Sequence, residues 1–453
     1  MGSYIPCAQT ERDEMLKEIG CGSIKELYAD VPPDMFAKKL QIPEGISELE
    51  LRQKIDEIAS KNTVFKSIFR GAGAYHRFIP SLVKTVMNKE QFVTSYTPYQ
   101  AEIAQGVLQS IFEYQTCVCE LFGLDTSNAS LYDGATAAAE AVIMCQERRR
   151  HSVVISGAMH PQLIATVKTY CKSRHIPVNV IAAKDGKTDI AEFKSALNEE
   201  SACGIFAQPN YFGQLEESAE LIEAIHAVGA SAVVSADAIS LGMLEAPGIL
   251  GADICVSEGQ SLGLPMSFGG PYLGMIACTE KLRRKLPGRI VGQTTDEKGN
   301  RMYVLTLQAR EQHIRREKAS SNICSNQALC ALGALTYMCV MGPDGLAEVA
   351  SQSYSKAHYA ADEICKINGF ELCFEGDFFN EFVTTCPGSA GGAGSAGSAG
   401  SAAKLNELLS RHGILGPLEL DGERLLWCVT EMNTKQQIDR LVEILGENHG
   451  SSF

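Results

Sequence analysis

Ala232-Val233-Val234-Ser235-Ala236-Asp237 is a short run of small and β-branched apolar residues that stops on a carboxylate. Too short for a helix and preceded by the helical pattern Ala219 to Val228, it reads as a strand buried on both faces. The same alternation extends in both directions. Upstream lie strands at Val153 to Ser156, Val178 to Ala183 and Gly204 to Gln208, with helices at Gln162 to Lys172 and Ile190 to Leu197 between them. Downstream come strands at Asp253 to Ser257 and Leu273 to Cys278. Earlier, an amphipathic helix carries Ile103, Val107, Ile111 and Val118 and stops at Gly123, and another opens at Asp133-Gly134-Ala135-Thr136 and closes on Arg148, Arg149 and Arg150. Short apolar strands alternating with helices predict an α/β fold, a mostly parallel sheet with helices on both faces. In such a sheet ligands sit outside the carboxyl ends of the strands.

Three features gather at those ends. The turn Gly134, Ala135, Thr136 places a small residue and a hydroxyl at a helix N-terminus, where backbone N–H groups can hold a phosphate or simply receive an ordinary cap. His160 follows a strand and precedes Pro161, a position for an imidazole that stacks on a planar ring or for a surface loop residue. Asp237, at its strand end, either pairs with a protonated pyridine nitrogen or caps the next turn. No lysine occurs between Ser195 and Glu280, and Ser261 stands twenty-four residues after Asp237.

Composition narrows the class. The 453 residues are 45% hydrophobic and 21% charged, an ordinary globular balance with room for two or three domains. No run of eighteen apolar residues occurs, and the first residues lack the basic and apolar regions of a signal peptide, so a cytoplasmic location without a membrane partner is expected. A net charge of −14 argues against nucleic acid and anionic membranes. Sixteen cysteines lie scattered in apolar segments and read as reduced thiols, and nine histidines show no metal-ligand spacing, so no metal site is expected. Arg70-Gly71-Ala72-Gly73-Ala74-Tyr75 has neither the preceding strand nor the third glycine of a dinucleotide loop and reads as a local turn.

In chain order, the phosphate-type turn, the histidine and the strand-end aspartate match the layout of the aspartate-aminotransferase superfamily, the pyridoxal-phosphate-dependent transferases of fold type I. In that superfamily a Schiff-base lysine follows the aspartate by about the spacing at which Ser261 stands here. Longer segments narrow the likeness: Tyr96-Thr97-Pro98-Tyr99-Gln100-Ala101-Glu102, Asn128-Ala129-Ser130-Leu131-Tyr132-Asp133-Gly134-Ala135-Thr136, Gly269-Gly270-Pro271-Tyr272-Leu273-Gly274 and His313-Ile314-Arg315-Arg316-Glu317-Lys318-Ala319-Ser320-Ser321-Asn322-Ile323-Cys324. They resemble the glycine decarboxylase P-protein family, and in particular its N-terminal half, which in many bacteria is a separate subunit 1 (alpha). The likeness runs from about Phe65 to Leu329.

The resemblance implies a division of labour. The family decarboxylates glycine with pyridoxal phosphate and passes the aminomethyl group to the lipoyl arm of the H-protein. Subunit 2 (beta) carries the lysine, so pyridoxal phosphate is expected in that partner and not bound covalently here. Gly134, Ala135, Thr136, His160, Asp237 and Ser261 then become a vestigial cofactor pocket, and no residue of this chain alone is expected to be catalytic. Because fold type I sites form between protomers, Ser320, Ser321 and Asn322 are candidates to donate hydrogen bonds to the partner's cofactor, or else cap a helix Gln327 to Leu335. Tyr96, Thr97 and Tyr99 are candidates to line the passage for glycine or the lipoyl arm, and Arg310, Arg315 and Arg316 to attract an acidic partner. The remaining readings are a stand-alone pyridoxal-phosphate enzyme using another lysine such as Lys194 or Lys281, and a regulatory binder.

Gly259-Gln260-Ser261-Leu262-Gly263 fits the G-x-S-x-G elbow of serine hydrolases, but the following Leu264-Pro265-Met266-Ser267-Phe268-Gly269-Gly270-Pro271 cannot form the helix that elbow requires. The expected organisation is an N-terminal helical segment at 1–90, with helices at Glu11 to Gly20 and Glu48 to Lys61, a large domain at 91–329 and a small C-terminal α+β domain at 330–453. The small domain should hold strands near Phe370 to Phe374, Glu381 to Thr385 and Leu425 to Val429, and a last helix Thr434 to Leu445. Within it, 388–403 has the Gly/Ser/Ala composition of a flexible linker and should lie remote from chemistry.

Overall fold

The structure, a computed structural model, describes residues 8–36, 41–95, 97–387 and 401–447. It falls into two compact units divided between Val64 and Phe65. The first holds helices Gln9–Glu18 and Glu48–Ala59. The second of these begins on a capping box, in which the Glu50 carboxylate accepts the Ser47 N–H at 2.9 Å while Ser47 Oγ accepts the Glu50 N–H. Residues 65–90, placed with the N-terminal segment on sequence grounds, fall within the second unit. There helix Ser81–Met87 packs against the long helix Ala328–Ile364, with Val83 in a shared apolar cluster.

The second unit is built on a seven-stranded sheet. Its strands are β1 (Thr126–Ser127), β2 (Ser152–Ser156), β3 (Val178–Ile181), β4 (Ser201–Gln208), β5 (Ser231–Ala236), β6 (Ile254–Glu258) and β7 (Gly274–Cys278). They lie in the order β1-β7-β6-β5-β4-β2-β3. The run β6-β5-β4-β2-β3 is parallel, and β7 pairs antiparallel with both β6 and β1. Helices α1 (Gln105–Phe122), α2 (Gly134–Cys145), α3 (Pro161–Ser173), α4 (Ile190–Ala196), α5 (Ser218–Ala227) and α6 (Ala328–Ile364) cover it.

Strand periodicity sorts the core into layers. Val153, Ile155, Ile205, Val233 and Val256 join α2 and α3 in one apolar cluster. Val154, Phe206 and Val234, one position along the same strands, join Phe193 of α4 and Leu221 and Ile225 of α5 in another. Phe193, Phe206 and Ile225 are each fully buried, a stabilisation of about 2–3 kcal/mol apiece. Gly204 makes room for this layer, since a Cβ there would meet Ile225 at 2.6 Å. A third cluster joins Ala236, Cys255 and Met275 to residues of α1 and α6.

Several boundaries differ from the sequence reading. Helix α2 ends at Cys145, short of the arginines, because Arg150 turns inward to donate to the Val228 carbonyl at 2.7 Å. The strand expected at 370–374 is reduced to a single bridge, Leu372 to Thr384. A hairpin of β8 (Ile290–Thr295) and β9 (Arg301–Thr306) was not anticipated. Helix α6 is long and apolar enough by composition to cross a bilayer, but half of its most apolar window is buried in this fold, and it bends at Gly342-Pro343, where Gly342 has φ of 63°.

The C-terminal portion places β10 (Glu381–Thr385), β11 (Leu418–Glu419) and β12 (Arg424–Cys428) in one antiparallel sheet with the central strand β12. Helices α7 (Ser401–Arg411) and α8 (Lys435–Glu447) and the far end of α6 pack over it around Trp427. The linker-like stretch 388–403 lies outside the described residues as far as 400, and its last three residues belong to α7, with Ala402 buried. The described cysteines are all unbridged thiols.

Candidate functional site

The carboxyl ends of β2, β4, β5 and β6 open on one cavity of about 760 Å³. His160 reaches it from the turn after β2, where it caps α3. Its Nδ1 accepts the Gln162 N–H at 3.1 Å, and its Nε2 lies 3.1 Å from the Ala72 carbonyl. Accepting at one nitrogen and donating at the other defines a neutral imidazole, and burial lowers its pKa in the same direction. Tyr211, from the loop after β4, meets the ring edge-on at 4.9 Å between centroids. Asp237 follows β5, and its Oδ1 accepts the Ser240 N–H at 2.8 Å, so this carboxylate lines the cavity while capping the turn Ser240–Gly242. Ser261, buried in the turn Gly259–Ser261 after β6, lines it as well. No helix follows that turn, and Gly263 leaves it with φ of 83°, so the hydrolase elbow is not formed.

The turn Gly134, Ala135, Thr136 starts α2 at the cavity wall. Asp133 Oδ1 accepts the Thr136 N–H at 2.7 Å, and Thr136 Oγ1 returns a bond to the Asp133 N–H at 3.1 Å. The first helical N–H, that of Gly134, donates to Glu258 Oε2 at 2.9 Å. Glu258 is the last residue of β6, and its other oxygen, Oε1, accepts the N–H groups of Gln260 and Leu273, each at 3.0 Å. Burial still pushes its pKa up to about 7 against these three bonds. Glu258 is not among the residues that the sequence pattern singles out. Its place at the end of β6, equivalent to Asp237 after β5, was the available signal.

A second carboxylate comes from the distant strand β10. Glu381 accepts the Ala72 N–H at 2.6 Å and the Tyr75 hydroxyl at 2.7 Å, and burial raises its pKa to about 7. Gln260 bonds the same segment in both directions, accepting the Tyr75 N–H at 2.8 Å and donating to the Tyr75 carbonyl at 3.0 Å. The turn 70–75 is thus a fixed wall of the cavity. Gly71 is required there, because a Cβ would stand 2.6 Å from Glu381 Oε1.

These residues do not fit pyridoxal phosphate. No side chain lining the cavity can form the imine that anchors this cofactor, since the lining contains neither lysine nor arginine and Ser261 carries only a hydroxyl. Lys194 is paired with Glu220 at 2.8 Å, and neither it nor Lys281 is among the lining residues. The lining carries Asp133, Asp237, Glu258 and Glu381 opposite a neutral histidine, and the helix N–H that would hold a phosphate already holds a carboxylate.

The other described candidates lie outside the cavity lining. Tyr96 is outside the described residues. Thr97 is half-buried, and its carbonyl accepts the N–H of the exposed Tyr99. The Tyr99 hydroxyl accepts from Arg289 at 3.2 Å, and its ring meets His313 edge-on. Helix α6 is preceded by Gln327, so Ser320, Ser321 and Asn322 do not cap it. Instead Ser320 offers its carbonyl to Arg174 at 2.7 Å, while Ser321 lies beside the buried Glu140, whose pKa is raised to about 7 by burial, and Asn322 beside Tyr170. Arg310 is anchored on the Leu286 and Gly288 carbonyls, while Arg315 and Arg316 are exposed. Among the described residues no cluster has the composition of a metal site.

Comparison with known proteins places this geometry. The sequence model of the family described as "Glycine cleavage system P-protein" matches residues 2–445. The chain is similar to the probable glycine dehydrogenase (decarboxylating) subunit 1 of Desulfitobacterium hafniense, 46% identical with 98% of this chain and 99% of that protein covered. The protein of the same description from Moorella thermoacetica is 45% identical, with 97% and 98% covered. Among solved structures, a glycine decarboxylase (P-protein) of the glycine cleavage system in inhibitor-bound form superposes with a TM-score of 0.90 at 36% identity, over 98% of this chain and 100% of that one. A Lactobacillus brevis glutamate decarboxylase, 12% identical, shares the fold with a TM-score of 0.68 over 95% of this chain and 97% of that one.

Proposed function

Because the chain belongs to the glycine cleavage system P-protein family, we propose that it is the alpha subunit of a two-chain glycine decarboxylase whose beta subunit supplies the pyridoxal phosphate and the lysine that anchors it. The assembly decarboxylates glycine and passes the aminomethyl group to the lipoyl arm of an H-protein. This chain completes and stabilises the partner's site without carrying one of its own. One observation carries this reading: the strand ends converge on a cavity whose lining includes Ser261 but no lysine. Tyr99, with Arg289 and His313 around it, and the polar run Ser320, Ser321, Asn322 are the surfaces of this chain proposed to face the partner's site.

The test is to purify the chain alone, then together with a P-protein subunit 2, and record the visible spectrum and glycine–bicarbonate exchange. A colourless, inactive chain that becomes part of a yellow, active complex is the expected result. A yellow chain on its own means that another lysine has taken over the cofactor. A colourless chain that adds nothing to the partner's exchange activity leaves only a regulatory binder.

A further inference from the structure

We propose that the Glu258 carboxylate is a resident substitute for a ligand phosphate, seated on the N-terminus of α2 so that the pocket keeps its shape empty and rejects phosphate-bearing molecules. The proposal rests on the reading of this chain as a subunit without its own cofactor.

A helix N-terminus presents unpaired N–H groups and a partial positive charge, and an anion placed there is stabilised. In α2 that place is taken. Gly134 N–H donates to Glu258 Oε2 at 2.9 Å, and Gln260 and Leu273 donate to Oε1, each at 3.0 Å. Three backbone donors, from the start of α2, the turn directly after β6 and the residue before β7, therefore converge on one side chain, the arrangement by which a fold holds an anionic ligand. The helix start and the end of β6 are also in direct contact, for a Cβ on Gly134 would lie 2.9 Å from the Glu258 backbone nitrogen. A phosphate could take the Gly134 N–H only by displacing this carboxylate, and it would then sit among Asp133, Asp237 and the displaced Glu258 with no lysine or arginine in the lining to offset them. Burial and the neighbouring Asp133 raise the Glu258 pKa, and the three N–H donors act against them in favour of the carboxylate.

The consequence is a specific selectivity. Pyridoxamine and pyridoxamine 5′-phosphate differ only in the phosphate, and neither needs a lysine to bind. Calorimetric titration of the full chain with each, and with inorganic phosphate, should find no saturable phosphate-dependent binding in the natural sequence. Glu258→Ala vacates the N–H groups, and charge-assisted bonds to them should tighten pyridoxamine 5′-phosphate by about tenfold or more, with no gain for pyridoxamine. Glu258→Gln keeps an acceptor at the same position without the charge and should show a smaller gain in the same direction. Thermal melts supply an independent readout: Glu258→Ala should lower the melting temperature, and inorganic phosphate should restore part of the loss in that variant while leaving the natural chain unchanged.

Saturable phosphate binding by the natural chain, or an equal gain for both pyridoxamines, would overturn the proposal. So would a folded Glu258→Ala protein that gains nothing for either and is not rescued by phosphate. These results separate from the two-chain reading. A chain that is colourless alone and active with subunit 2 keeps that reading whatever Glu258 does, whereas a chain that carries the cofactor covalently removes both.

Discussion

Glu258 shows how a single carboxyl group ties the site to stability. Its ordinary value of 4.5 is raised to about 7 in the fold, so the native state holds this proton more tightly than the unfolded chain does. The contribution to stability is therefore fully present below about pH 4.5 and is lost as the pH rises through 7. Glu258→Gln removes the titration. Denaturant melts of the two proteins at pH 5 and pH 8 should show the natural chain losing up to about 3 kcal/mol relative to the variant over that interval. Parallel curves for the two proteins would mean that Glu258 ionises freely in the fold.

At this scale part of the cavity lining was legible in the sequence. Gly134, His160, Asp237 and Ser261 were legible because each follows or begins an element whose period is clear, and all four line one cavity. Glu381 and the turn 70–75 were not, because a hydrogen bond between residues more than three hundred positions apart leaves no local pattern. Ser320 to Asn322 were read as a helix cap or a partner contact. The structure removes the cap and sets them beside Glu140 of α2 and Tyr170 of α3, with the Ser320 carbonyl accepting from Arg174.

Among the elements, α2 concentrates the most consequence in one turn. Its capping box, Asp133 with Thr136, satisfies one helix donor and fixes the angle at which Gly134 meets Glu258. Asp133→Ala should cost about 1–2 kcal/mol in chemical denaturation, and Asp133→Asn, which keeps an acceptor, only a fraction of that. Equal losses in the two variants would show that charge, rather than the cap, is what Asp133 contributes. The central strands and helices were readable because burial on both faces selects continuous apolar runs of strand length. The hairpin β8–β9 escaped because Gln293 to Thr295 and Arg301 are polar and half-exposed or exposed, so neither strand shows a clean alternation. The converse error, a strand at 370–374, arose because Phe370 and Phe374 look like strand residues. Phe370 packs on Trp427 in the small core, whereas Phe374 lies against Gly186 and Phe212.

For the whole chain, the compact unit that begins at Phe65 takes in helix Ser81–Met87, which is short and whose apolar face gives no sign that its partner is α6, some two hundred and fifty residues later. The segment that follows Ser261 is more telling. Ser267, Phe268, Gly269 and Gly270 all have positive φ, and the Phe268 side chain stands fully exposed beside Gly269 and Pro271, which line the cavity. A non-glycine residue in that conformation is strained, and an exposed phenylalanine gains nothing in the isolated chain. Both costs are offset if a partner subunit covers this ridge, as the two-chain reading requires. Phe268→Asp should then leave the melting temperature of the isolated chain within about 1 °C, since nothing is packed against the ring. In the complex it should weaken association with subunit 2 by about tenfold or more, the order expected when a large apolar side chain loses its buried site. Sedimentation velocity of the mixed subunits across a concentration series measures the second quantity. An unchanged dissociation constant would place Phe268 outside the interface and leave its exposure unexplained.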